Sequence, residues 1–253
     1  MNNLYYSPPQ EEEWNPTKRN LLFAWSTHVF TASGAIWGFL AILAITNQQW
    51  VAAFVWMTVS VFVDAFDGLL ARRARVKEVI PRFDGALLDN MVDYLNYVIV
   101  PAIFIYSYGF TPTSVSLLAV FLIMLASAYQ FCQSDAKTED HYYKGFPSYW
   151  NILAFYLFVL NLSTWANFLV IIVLVVLVFI PIKYVYPSRT VRYQQLTMVL
   201  SIVWGITCCI ILFQYPEPNA NLIWLSLLFA VYYVGISLFS MLTTKQFSSA
   251  DIS

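Results

Sequence analysis

Four aspartates, Asp64, Asp67, Asp89 and Asp93, lie inside the long apolar runs of a 253-residue chain, where a charge is most expensive. On insertion scales an Asp at the centre of a bilayer costs about 2.5–3.5 kcal/mol, so four of them need something that neutralises them. Their spacing suggests what that is. Asp64, Asp67, Gly68 and Ala71 fall at i, i+3, i+4 and i+7, and Gly85, Asp89 and Asp93 at i, i+4 and i+8, so each set makes one acidic, small-residue stripe on a helix. The two helices are consecutive and joined by a short basic loop, which makes them antiparallel neighbours with both stripes in one cleft. Carboxylates so close repel one another unless protons or cations enter. An oxygen-only set without His or thiolate suits a hard divalent ion, Mg²⁺ or Mn²⁺, rather than zinc. Two other readings use the same residues: a buried ion network with Arg72, Arg73 or Arg75, and a proton or ion relay in a cation transporter. Neither accounts for the glycines or for the position of Arg72. A transporter also predicts polar residues through the full membrane depth, whereas these acids cluster toward one end of their helices.

The elements that position these groups are membrane helices. The chain is 60% apolar, 18% aromatic and only 11% charged, with a mean hydropathy of +0.64, where a soluble domain is about a quarter charged. A water-exposed globule is excluded. The net charge of −1 provides no field for nucleic acid, and no such partner is expected. Cys132, Cys208 and Cys209 show no metal-type spacing and no disulfide framework. Long runs of low charge cover 21–46, 50–71, 86–107, 113–132, 148–163, 165–182, 196–214 and 221–242. The fold class is therefore all-α, a polytopic membrane helical bundle of about eight transmembrane helices. With both ends inside, all 13 Lys and Arg residues fall on one side, and the opposite loops near 47–49, 108–112, 163–164 and 215–220 hold none. Merging the short fifth and sixth runs would move four of those basic residues to the wrong side. Gly34 and Gly38 form a G-x-x-x-G spacing, read as close helix packing. His28, within the first run, is read as packing or hydrogen bonding, and His141 as a loop residue.

Taken in full, Asp64-x2-Asp67-Gly68-x2-Ala71-Arg72, twelve residues, then Gly85-x3-Asp89-x3-Asp93 resembles the signature of the CDP-alcohol phosphotransferases, with eight fixed positions over 30 residues. The long spacer after Arg72, the pair Asp84-Gly85, the stretch from Asp93 to Pro101 and the segment from Ser134 to Asn151 resemble a bacterial branch of that family whose acceptor is choline. The resemblance implies a six-helix catalytic core over 21–184, preceded by a polar juxtamembrane segment at 1–20 and followed by two additional helices and a tail at 185–253. It implies transfer of the phosphatidyl group of CDP-diacylglycerol to choline with release of CMP. The location implied is the bacterial inner membrane, with both termini and the active site cytoplasmic. Asp64, Asp67 and Asp89 are then ligands to Mg²⁺ or Mn²⁺, two ions in all, and Asp93 is the general base that also touches the metal. Gly68, Ala71, Arg72 and Gly85 become the residues that hold the CDP moiety. A homodimer is implied by the same analogy.

These roles make physical sense. Gly68 and Gly85 lack side chains, so a nucleotide and its phosphates can approach the helix backbones; Ala71 keeps that face shallow. Arg72 can donate paired hydrogen bonds to a diphosphate. Choline is a quaternary ammonium that no hydrogen bond can hold but aromatic faces can. Tyr97 lies one turn beyond Asp93, and Tyr149 and Trp150 open the fifth helix from the same side, which makes these three the candidate choline residues. The loop acids Asp135, Glu139 and Asp140 could aid cation capture, but Lys137 and Lys144 dilute their charge and the group reads as a solvated loop. Other acceptors of the same chemistry are serine, glycerol phosphate and an inositol phosphate. A phosphorylated acceptor calls for basic residues facing the cleft, and the spans contain none; Arg189 and Arg192, in an inner loop, weaken that argument without removing it.

Overall fold

The computed structural model describes residues 16–136, 142–185 and 194–250, with side chains described as far as Phe239. The polar segment 1–15, together with Lys137, Glu139, Asp140, His141, Arg189 and Arg192, lies outside the described residues. In chain order the elements are α1 (Lys18–Thr46), α2 (Trp50–Arg73), the single turn α3 (Val76–Val79), α4 (Gly85–Tyr94), a π segment (Leu95–Ile99) and α5 (Val100–Tyr108). Then follow α6 (Ser116–Cys132), β1 (Tyr142–Lys144), α7 (Trp150–Leu160), α8 (Thr164–Phe179), β2 (Lys183–Val185), α9 (Gln194–Phe213) and α10 (Ala220–Ala250). The chain is a helical membrane bundle. Among the described residues six helices are long and apolar enough to cross a bilayer, counting Gly85–Tyr108 as one. Large apolar side chains such as Leu22, Leu125, Phe213 and Val231 point outward, a surface that suits lipid and not water.

The fifth and sixth helices are shorter than the runs 148–163 and 165–182 suggest. α7 has 11 residues and α8 has 16, about 16 and 24 Å at 1.5 Å per residue, against a hydrocarbon core of about 30 Å. Asn161 turns left-handed at φ 46° and stops α7, and Ser163 caps α8 by accepting from the Ala166 amide at 3.3 Å. α7 tolerates its shortness because protein surrounds it: Trp150, Leu153, Ala154, Phe155, Tyr156, Leu157 and Phe158 are all buried.

The two ends of the bundle differ in chemistry, and the contacts at each end show which turns lie together. At one end the turns meet in an aromatic cluster, with Trp50 on Tyr108 (5.1 Å between centroids), Tyr108 on Phe110 (4.4 Å), Tyr108 on Phe158 (5.4 Å) and Phe158 on Tyr215 (4.7 Å). Asn167, at the start of α8, donates to the Phe110 carbonyl at the same end. At the other end β1 and β2 pair antiparallel, Tyr142 with Val185 and Lys144 with Lys183. The run-by-run reading contains no strands, because three residues inside polar loops leave no periodicity to see. This small sheet ties the segment before α7 to the one after α8, so α7 and α8 form a hairpin that returns to its starting side. Among the described residues, this hairpin of two shorter apolar helices stands beside the six long enough to cross a bilayer.

Packing around α1 sets the cleft. A Cβ on Gly34 would stand 2.5 Å from Val92 Cγ1, and one on Gly38 would collide with the Asn96 side chain. The Gly34-x3-Gly38 stripe thus lets α1 press against α4 and the π segment, in the packing role its spacing predicts. Asn96 fastens the contact by donating to the Gly34 carbonyl at 3.0 Å.

Candidate active site

α2 and the helix beginning at Gly85 carry the acids, joined by α3 and its flanking turns. Asp67 and Asp64 stand six and nine residues before the end of α2 at Arg73, about 9 and 14 Å along the axis, so the stripe lies in the half of the membrane next to the basic loop. The second stripe starts at a capped helix end: the Asp84 carboxylate accepts from the amides of Ala86 (3.0 Å) and Leu87 (2.9 Å). This explains the Asp84-Gly85 pair locally, because Asp84 satisfies amides that a helix start leaves open.

The structure brings the two stripes together. One carboxylate oxygen each from Asp64, Asp89 and Asp93 lies within 4.8 Å of the other two. Cis oxygens around Mg²⁺ at about 2.0–2.1 Å are about 2.9 Å apart, so the three side chains would draw together onto such an ion. Asp67 is the most buried of the four, at 6% exposure. Its charged neighbours are Asp89 and Asp64, and the Thr31 hydroxyl of α1, which donates to the Thr27 carbonyl at 3.3 Å, and the Gly68 amide lie close to it. All four acids share one cleft, and their donor chemistry fits a hard divalent cation.

Around this group the other signature residues fall as follows. Arg72 folds back over Gly68: a Cβ there would lie 3.4 Å from Arg72 Nη1, so the guanidinium borders the acidic stripe. Ala71 is half-buried on the same face. Gly85 faces α1, where the His28 ring occupies the space a side chain would need.

Of the three aromatic candidates, Tyr97 and Tyr149 reach the site and Trp150 does not. The Tyr97 hydroxyl donates to Asp64 Oδ2 at 2.7 Å, and Tyr149 is among the neighbours of that hydroxyl. The π segment makes this possible. Residues four apart in an α-helix drift about 40° around the axis, and the wider i→i+5 turn over Leu95–Ile99 reverses the drift and returns Tyr97 to the Asp89–Asp93 line. Trp150 is fully buried, and its indole N–H donates to Ser127 Oγ at 2.7 Å beside a hydrogen bond from Ser148 to Gln130. With no free face, Trp150 is corrected to a core residue. Spacing misplaced it because Tyr149 and Trp150 are adjacent in sequence but point apart.

Two aromatics at this place are invisible to the motif. Tyr233 of α10 stands 6.4 Å from both Tyr149 and Tyr184, hydrogen-bonds with Tyr149 and donates to the Val185 carbonyl at 2.9 Å. No sequence signal singles them out in a chain with 17 tyrosines. Asp135 is occupied elsewhere: a 2.6 Å bond from Lys144 holds its carboxyl below the usual range, so it is not a spare anion for cation capture.

Comparison with known proteins agrees with this geometry. Residues 26–181 match the family described as CDP-alcohol phosphatidyltransferase. The chain belongs to the CDP-alcohol phosphatidyltransferase family. It is a phosphotransferase enzyme, and all eight signature positions lie within the matched stretch. The chain is 46% identical over 224 residues to the phosphatidylcholine synthase of Legionella pneumophila, covering 85% of this chain and 86% of the relative. It is 39% identical to the phosphatidylcholine synthase of Pseudomonas aeruginosa, over 88% of this chain and 93% of the relative. With the phosphatidylcholine synthase of Borreliella burgdorferi the identity is 36%, over 79% and 86% respectively. The similarity to these phosphatidylcholine synthases extends over most of the chain, so it is not confined to the signature.

Proposed function

We propose that this chain is a phosphatidylcholine synthase: it transfers the phosphatidyl group of CDP-diacylglycerol to the hydroxyl of choline and releases CMP. The observation that carries the reading is the convergence of Asp64, Asp89 and Asp93 inside the family signature. The choice of choline is supported by relatives at 36–46% identity that bear that name.

In this reading Asp64, Asp67, Asp89 and Asp93 hold the divalent cations, two Mg²⁺ or Mn²⁺ ions, which when bound supply positive charge to a diphosphate. Asp93 takes the proton of the choline hydroxyl as the choline oxygen attacks the phosphorus bearing diacylglycerol. The bond from that phosphorus to the CMP oxygen breaks, and CMP leaves with the electron pair. Arg72 donates paired hydrogen bonds to the diphosphate, while Gly68 and Ala71 keep the face of α2 bare for the nucleotide and Gly85, with the His28 ring against it, keeps the start of α4 free of a side chain of its own. Tyr97 serves twice, its hydroxyl orienting Asp64 and its ring, with that of Tyr149, facing the trimethylammonium group. The core is 21–184, to which α9 and α10, within 185–253, add Tyr233 behind Tyr149. The enzyme works in the bacterial inner membrane with its site and both termini cytoplasmic, as the one-sided basic residues support, and as a homodimer, which cross-linking in native membranes tests.

Purified enzyme supplied with CDP-diacylglycerol, Mn²⁺ and equal concentrations of choline, serine, glycerol phosphate and inositol phosphate tests the acceptor. Labelled choline should enter lipid in step with CMP release. Consumption of another acceptor in place of choline would overturn the assignment while leaving the transferase class intact.

A further inference from the structure

His28 is a buried polar residue for which the fold has no use. It is 5% exposed, and its Nε2 is buried without a hydrogen-bond partner. Such an atom is costly to leave unpaired, and an apolar side chain of similar size would fill the space without that cost. The ring is wedged between Phe83, 4.5 Å away, and Trp25, 5.9 Å away. Its third neighbour is Gly85. A Cβ on Gly85 would lie 2.7 Å from His28 Cε1, 3.3 Å from Nδ1 and 3.8 Å from Nε2, so the imidazole lies over the bare start of α4. One turn further along α1, Thr31 contacts Asp67. α1 is thus the third wall of the cleft whose other walls carry the aspartates.

We infer that His28 is a nucleotide-binding residue whose Nε2 makes a hydrogen bond to the cytidylyl half of the liponucleotide over Gly85. This rests on the reading that the cleft takes CDP-diacylglycerol. The chemistry is suitable: a nucleotide presents donors and acceptors on base, ribose and phosphate, and an imidazole nitrogen can meet either. The inference also gives Gly85 a second reason to be glycine, since a side chain there would displace the imidazole as well as crowd the ligand.

CMP is the probe, with Mg²⁺ as the diamagnetic ion. Binding to detergent-solubilised enzyme is measured by calorimetry for the wild type, His28→Leu and His28→Gln. His28→Leu should weaken CMP about tenfold, the equivalent of about 1.4 kcal/mol, and raise the KM for CDP-diacylglycerol in parallel while the KM for choline stays unchanged. His28→Gln, which returns a polar atom near the position of Nε2, should recover most of the loss. Unaltered CMP binding by a folded His28→Leu protein would overturn the inference. A second measurement needs no substitution at the site. The chain has two histidines, so in ¹⁵N-imidazole spectra of the wild type, assigned with His141→Asn, CMP should move the Nε2 resonance of His28. A resonance that does not move at saturating CMP overturns the inference as surely. Failure of the wild type to bind CMP at all would instead overturn the reading of the cleft itself.

Discussion

Tyr97→Phe separates two jobs that one side chain performs. The variant keeps the ring and deletes the hydroxyl that donates to Asp64 Oδ2 at 2.7 Å. A hydrogen bond to a charged group contributes about 1.5–3 kcal/mol, which at about 1.4 kcal/mol per tenfold is a factor of about 10 to 150. Loss of an outer partner that orients a metal ligand ordinarily costs about 10- to 100-fold in affinity, so the two estimates agree. After chelator stripping, Mn²⁺ titration of CMP release should show the half-activating concentration rising by about that 10- to 100-fold, with the rate at saturating metal close to wild type. Free Mn²⁺, counted by electron paramagnetic resonance, should shift by the same factor without reference to turnover. The KM for choline should hardly change, because the aromatic face remains. Metal curves for Tyr97→Phe and wild type that superimpose would refute the claim that this hydroxyl orients a metal ligand.

Other outcomes follow from the same geometry. Asp93→Asn should fold and bind CDP-diacylglycerol but turn over at a small fraction of the wild-type rate; a wild-type rate would remove Asp93 from the role of base. Gly38→Ala drives a methyl group into Asn96 and toward Leu95 Cδ2 at 3.3 Å, so thermal stability in detergent should fall by the about 1–3 kcal/mol typical of overpacking. Trp150→Phe should lower thermal stability by removing the bond to Ser127 while leaving the KM for choline in place; a selective rise in that KM would return Trp150 to the binding site. A cysteine placed at Asn219 should react with an impermeant reagent added from outside, and one at Lys245 should not. Reaction at Lys245 would refute the eight-helix topology.

The acidic stripes were legible because a carboxylate inside an apolar run has few reasons to exist, and i, i+3 and i, i+4 spacings survive folding unchanged. Eight apolar runs and a one-sided distribution of Lys and Arg likewise gave the bundle and its turns. What the sequence hid depends on long-range geometry. The π segment at Leu95–Ile99 has no compositional mark, yet it decides where Tyr97 points. β1 and β2 are too short for a period to register, and Tyr233 approaches Tyr149 from 84 residues away along the chain. Trp150 shows the converse hazard: its type and position both suited an aromatic binding site, and only the orientation of α7 assigns it to the core.

α7 has a consequence for how the protein is made. A segment that reaches about halfway across the apolar slab is a poor candidate for handover to lipid by itself, because the peptide groups at its ends would face hydrocarbon with nothing to bond. α7 therefore has to enter together with α8, as a loop pushed in from one side and clipped at its base by the pairing of Tyr142–Lys144 with Lys183–Val185. Assembly of this bundle is then not a simple succession of independent crossings. A ribosome that has translated only as far as Leu160 holds a chain whose last helix must wait for the next one.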